Sequence, residues 1–281
     1  MIKIILHQIK LLLRGKEALT TLTVLFWIIL ANYVENILAF QGYDISRMYE
    51  PMKLMLLSEN KTNYSANYTL VFIMLYPILL SLPAGFSYAK DKITGEDIFL
   101  ITRIGRNKYF ISRWISAYLT TVIVFFLPFF MDLLIHLISF PLSAKGDLTN
   151  LSIYSLEYQQ MVENYFAPEW YRSCPLLYAM GGILLQALIA GILGTFPLSL
   201  SYIFTVKYKA YLVLPLFLLL NITAYLERLF PTIEFSLRWF SYLLLYNVQK
   251  KSMVYFTGFV LTILVFQLIS CMIVLKKDRI L

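Results

Sequence analysis

The side chains able to do chemistry in this chain are few. There are two histidines, His7 and His136, and two cysteines, Cys174 and Cys271. Asp132 and His136 stand four residues apart within an apolar run, so on a helix they share one side. Ionisable groups at such places usually face a bundle interior or an aqueous cavity, where this pair could pass a proton or sense a cation. The alternative is that they sit near the outer water interface, since Pro141 closes the run. Glu35, near the end of an earlier run, has the same two readings. Two histidines cannot build an H-E-x-x-H or three-histidine zinc site. There is no G-x-S-x-G nucleophile elbow. The phosphate-cradling G-x-x-x-x-G-K-[ST] loop is also missing, because the single Gly-Lys step, Gly15-Lys16, runs into Glu17. No catalytic residue, metal site or cofactor belonging to this chain is expected.

The elements that would hold these groups follow from composition. Of 281 residues, 59% are apolar and 14% charged. A soluble domain runs near 45–50% and about 25%. Disorder is excluded by the excess of large apolar side chains, and a disulfide scaffold by the cysteine count. An all-α polytopic membrane protein remains. A crossing helix needs about 20 mostly apolar residues, and six segments qualify: 19–40, 69–89, 114–140, 176–204, 210–226 and 253–275. The first is too long for the apolar core of a signal peptide and is expected to stay as a span.

Lys and Arg set the orientation. With both termini in the cytoplasm, the inner pieces hold 15 of the 24 basic residues and five of the 16 acids, a charge of +10. The outer pieces balance near zero, and Glu35 and Asp132 lie within spans. The net +8 is therefore topological, and no loop concentrates it with stacking aromatics as a nucleic-acid footprint would.

Two inner segments look amphipathic. In residues 2–14, Ile2, Ile5, Leu6, Ile9, Leu12 and Leu13 form one stripe and Lys3, His7, Lys10 and Arg14 another, the pattern of an interfacial helix. Gly15-Lys16 separates it from the first span. Residues 90–114 read KDKITGEDIFLITRIGRNKYFISRW. Thr94 and Asp97 spell a capping box, Ile98, Ile101 and Ile104 share a face, and Gly105 can end the helix. A mixed-charge helix at an inner surface suits a soluble partner; the alternative is a solvated loop obeying the charge rule.

The 90–114 run resembles the cytoplasmic segment of ABC-2-type permeases, where a Gly-containing acidic turn precedes a short coupling helix and a basic lead into the third span. The matching positions are Gly95, Glu96, Thr102, Arg103, Arg106 and Lys108. Six spans, inner termini and the N-terminal helix fit the same family over essentially the whole chain. The resemblance implies a six-span exporter subunit in a bacterial cytoplasmic membrane. It implies two copies of a separate ATPase carrying ATP and Mg, docked on Gly95, Glu96, Asp97, Ile98, Ile101, Arg103 and Arg106. A second permease copy or homologue would complete the pathway, within the lipid bilayer. It also implies a pair of short re-entrant helices before the last span, where 235–246, FSLRWFSYLLLY, is apolar but too short to cross.

The outer loops 41–68 and 141–175 exceed the family pattern and are rich in tyrosine, including Tyr154, Tyr158, Tyr165 and Tyr171. They could cap the pathway, shape an exit or bind an outside ligand. The last of these would suit an immunity or sensor protein rather than a transporter. Asn60, Asn63 and Asn67 each begin an N-x-S/T sequon, expected to be chance in a bacterial chain. Gly181, Gly182, Gly191 and Gly194 would let helices approach closely, within the chain or between copies. The expected cargo is hydrophobic or amphipathic, such as a peptide.

Overall fold

The structure is a computed structural model that describes residues 1–45, 48–58, 66–142, 162–204, 206, 208–230, 233–247 and 249–276. Asn60, Asn63, Tyr154, Tyr158 and the tail from Lys277 onward lie outside the described residues.

Among the described residues the fold is helical, with no strand beyond one isolated bridge between Ser58 and Leu245. Helix α1 spans Ile2–Leu13 and α2 spans Lys16–Phe40. Gly15 separates them as expected, in extended backbone at the start of α2. A 3-10 turn at Pro51–Leu54 precedes α3, Ala66–Ser81. Then come α4 (Ser87–Thr94), α5 (Glu96–Ile104) and the longest helix, α6 (Arg106–Ser139). Helix α7 (Pro168–Ser173) leads to α8 (Pro175–Gly194) and α9 (Phe196–Ile203). The series ends with α10 (Val213–Leu229), the five-residue α11 (Trp239–Leu243) and α12 (Met253–Lys276).

Among the described residues, five stretches are long and apolar enough to cross a membrane: Lys16–Phe40, Arg106–Ser139, Pro175–Ile203, Lys209–Leu229 and Met253–Lys276. This is the architecture of an all-α polytopic membrane protein. The expected span 69–89 is the exception. Helix α3 stops at Ser81 after 16 residues, about 24 Å against a hydrocarbon core of about 30 Å. Pro83 brings no N–H, and at Gly85 a Cβ would lie 2.6 Å from the Ser81 carbonyl oxygen, so the chain turns there and restarts as α4. The expected span 176–204 is among the five, with a local interruption of its helix at Thr195, whose hydroxyl bonds back to the Gly191 and Ile192 carbonyls.

Helices α2 and α6 run parallel. At one end, here the foot, Lys90 of α4 lies 4.0 Å from Glu17 of α2. At the far end Tyr33 and Ser139 hydroxyls are 2.6 Å apart and Phe40 packs edge-on to Phe140. Glycines of α8 make the central packing close. A Cβ at Gly191 would meet Val122 and Tyr118 of α6, and one at Gly194 would meet the Leu80 carbonyl and Thr121. Gly182 fits under Leu245, and of the four only Gly181 faces open space. Three of the four glycines therefore serve contacts inside the chain, not between copies.

Candidate functional site

The foot is built on an aromatic cluster. Tyr88 of α4, Phe110 of α6 and Tyr202 of α9 have ring centroids 5.0–5.5 Å apart. Half-buried Leu100 and Ile101 of α5 and Leu12 of α1 pack against it. Beside it Asp91 is buried with Arg113. The Arg113 Nη2 donates at 2.6 Å to the Asp91 carboxylate and at 3.1 Å to the Ser87 carbonyl. The Tyr109 hydroxyl donates to the same carboxylate at 2.6 Å. Burial pushes the Asp91 carboxyl above its ordinary range, against the opposing pull of Arg113 and the Tyr109 hydrogen bond. This ion pair fastens α4 to the start of α6.

Helices α4 and α5 meet at Gly95, whose φ of 75° is the left-handed conformation that closes α4 and opens α5. The expected capping box is not formed. Thr94 Oγ1 donates instead to the Lys90 and Asp91 carbonyls, because the left-handed Gly95 takes the cap position. Helix α5 does end at Gly105, as its sequence suggests.

The face of α5 is turned relative to expectation. Asp97 is 2% exposed, whereas Ile98 is 54% and its neighbour Phe99 64% exposed. Leu100 and Ile101 supply the packing side, so the burial stripe lies about one residue away from the 98-101-104 row. Glu96 and Arg103 remain exposed, and Gly95 is the hinge residue. Arg106 is not free for a partner, because its Nη2 donates to the Val274 carbonyl of α12. Of the seven expected docking residues, Glu96, Ile98 and Arg103 therefore form the outer surface with Phe99, while Asp97, Ile101 and Arg106 hold the arm in place. In the sequence Phe99 is legible only as an apolar neighbour of the expected face.

The second set of expected residues meets at the far end, around a stretch of chain that enters the bundle. Residues Leu54–Ser58 are fully buried and not helical beyond the 3-10 turn. The Leu54 carbonyl accepts from Asn32 Nδ2 at 3.0 Å and Asn36 Nδ2 at 2.9 Å. The Leu56 N–H donates to Asp132 Oδ2 at 2.7 Å, and its carbonyl accepts from the Thr69 hydroxyl at 3.2 Å. The Leu57 carbonyl accepts from the Leu245 N–H at 2.7 Å. Irregular backbone at membrane depth is tolerated where it is buried in protein and its polar groups are paired.

His136 completes the junction. Its Nε2 lies 3.2 Å from Asn36 Nδ2, and its Nδ1 lies 2.8 Å from the Asp132 carbonyl and 3.1 Å from Asp132 Oδ1. Asn36 must turn its NH₂ toward the Leu54 carbonyl. Nε2 is then the acceptor and the ring proton is on Nδ1. Asp132 and His136 are both fully buried, with these contacts inside the chain. Glu35 is separate from them. It is half-buried and accepts from the Tyr68 hydroxyl at 3.3 Å.

The region 235–246 is also internal. It contains one turn of helix, α11, and not a pair of helices. Trp239 stacks on Tyr76 of α3 at 4.6 Å, and Glu227 of α10 holds its start by accepting from the Ser236 hydroxyl and the Leu237 N–H. Tyr246, left-handed at φ 59°, joins Tyr165, Tyr171 and Tyr178 in a buried ring cluster. Tyr165 and Tyr171 are thus packing residues rather than an open ligand surface. Among the described residues no group of three or more His, Cys, Asp and Glu could hold a metal ion.

No family model, curated protein or solved structure matches this chain.

Proposed function

We propose that the chain is the transmembrane permease subunit of an ATP-driven transporter of the ABC-2 type. In this reading both termini face the cytoplasm of a bacterium and α3 with its following turn makes the sixth crossing. Helix α1 lies in the interface with Ile2 and Leu6 toward lipid. ATP and Mg are held by a separate ATPase, present in two copies. A second permease copy or homologue completes a pathway that exports a hydrophobic or amphipathic substrate such as a peptide.

The observation that carries the reading is the α4–α5 arm. It presents two large apolar side chains, Ile98 and Phe99, between exposed Glu96 and Arg103. Isolated exposed apolar residues are ordinary, but an adjacent pair with flanking opposite charges on a short helix is the form of a docking knob. The arm is fastened to α6 by the buried Asp91–Arg113 pair, so a push on α5 is passed to a 34-residue helix. Rigid transmission of this kind is what coupling to ATPase closure requires.

The test is co-purification with the partner ATPase. Ile98→Asp with Phe99→Asp should abolish the stoichiometric complex and uncouple ATP hydrolysis from transport. The unfolding temperature of the permease alone should stay close to that of the parent. A chain that purifies alone, or a variant that keeps full coupling, defeats the reading. Charge reversal at the exposed Glu96 tests the same surface, whereas Asp97 is buried and would report folding.

A further inference from the structure

Gly181 of α8 borders a cavity of about 470 Å³, and a Cβ added to it would meet nothing within 4 Å. Residues 178–188 of α8 form one side of this cavity and residues 242–245 another. Phe166 and Trp170, which precede α8, complete the lining. Gly182 fits under Leu245, whose N–H is bonded to the Leu57 carbonyl, so the cavity belongs to the far end of the bundle. Among the described residues no charged side chain lines it. The Tyr242 hydroxyl is already spent on the Ser236 carbonyl at 2.7 Å, and Gln186 is buried. Leu184 and Leu188, one and two turns beyond Gly181, are 48% and 37% exposed. The cavity therefore opens on the outer side of a helix long and apolar enough to cross a membrane, where hydrocarbon and not water is the surrounding medium. Trp170 is exposed just before that helix begins, the level at which aromatic rings meet lipid headgroups.

The geometry points to one acyl chain of a bilayer phospholipid, from the leaflet at the far end, as the occupant. Residues 178–188 cover ten helical steps, a depth of about 15 Å. One leaflet of hydrocarbon is also about 15 Å deep, half of a core of about 30 Å. Spread over that depth, the volume leaves a mean section of about 30 Å². A helix with its side chains is 10–12 Å across, a section of about 80–110 Å². A helix of a second copy or of a partner is therefore too thick to enter, whereas a single unbranched hydrocarbon chain fits. The uncharged wall gives a headgroup or a soluble ion nothing to pair with, so selection is by chain and not by charge. Left empty, the lining would forfeit its dispersion contacts on that side. The site does not depend on the transport reading, because it needs only a bilayer around the spans.

The test is photolabelling of the full chain in phosphatidylcholine nanodiscs. The probe is a phosphatidylcholine whose acyl chain ends in a diazirine, and labelled residues are mapped by peptide mass spectrometry. Leu188 should be labelled severalfold more than Leu268, which is more exposed and lies at a similar depth on α12. Gly181→Leu fills the open space, so it should bring Leu188 down to the level of Leu268 while leaving Leu268 and the unfolding midpoint unchanged. Gly181→Ala should do the same in part, and it carries the test if leucine lowers the midpoint. A phosphatidylglycerol probe with the same chain should label Leu188 equally. Equal labelling of Leu188 and Leu268 in the parent overturns the proposal, as does labelling of Leu188 that neither variant reduces. A severalfold preference between the two headgroups also overturns it, since selection would then be by charge. So does a parent dimer that Gly181→Leu dissociates, which would make the occupant a second copy.

Discussion

The Leu54 carbonyl offers a sharp test of how the far end is held. It is buried within the bundle and accepts from two amides, Asn32 at 3.0 Å and Asn36 at 2.9 Å. Asn32→Leu removes one amide donor from the carbonyl and leaves it paired with Asn36, a loss of at least about 1 kcal/mol. Asn36→Leu also frees His136 Nε2 from its 3.2 Å contact. Its loss should be about 1–2 kcal/mol. In the double variant the carbonyl has neither amide donor, and an unpaired buried acceptor adds about 1–3 kcal/mol. The double loss should therefore exceed the sum of the singles by about 1–2 kcal/mol. The measurement is reversible unfolding in mixed micelles of dodecylmaltoside and sodium dodecylsulfate. Protease cleavage within 54–58 should rise in the same order, most in the double variant. Additivity within about 0.5 kcal/mol, the scatter expected of independent sites, would show that the two amides do not share this acceptor.

Three further outcomes follow from the packing and charge. Gly194→Ala should destabilise by about 1–3 kcal/mol, because its Cβ would sit 2.8 Å from a backbone oxygen that cannot swing away. Gly181→Ala, with open space around it, should be neutral or stabilising by up to about 1 kcal/mol in the same unfolding assay. Burial raises the Asp91 carboxyl above its ordinary value, so the folded state binds the proton more tightly than the unfolded chain. Its contribution to stability should fall as pH rises from the ordinary aspartate range through the raised folded value, then level off. Asp91→Asn should flatten that slope in a pH series of unfolding midpoints while lowering stability throughout, because Arg113 loses its partner.

The sequence by itself determined the class of protein and the existence of its parts. Long apolar runs, a Gly15 break, and a short helix bounded by Gly95 and Gly105 are local matters. They depend on composition, on glycine's access to positive φ and on helical periodicity, all of which are written in neighbouring residues. The placement of buried polar groups was not local. Asn32, Asn36, Thr69 and Asp132 lie on three different helices, and nothing in their own windows says that they converge on Leu54 and Leu56. Only the fold brings residues 13 to 76 positions away to one stretch of chain. The same holds for α5. Its period was visible, but which side faces inward was decided by the Tyr88–Phe110–Tyr202 cluster and by Arg106 reaching α12. That placement turned Asp97 inward and Phe99 outward. Hydrophobic pattern fixes how much of a helix is buried. The direction it faces depends on neighbours that arrive from elsewhere in the chain.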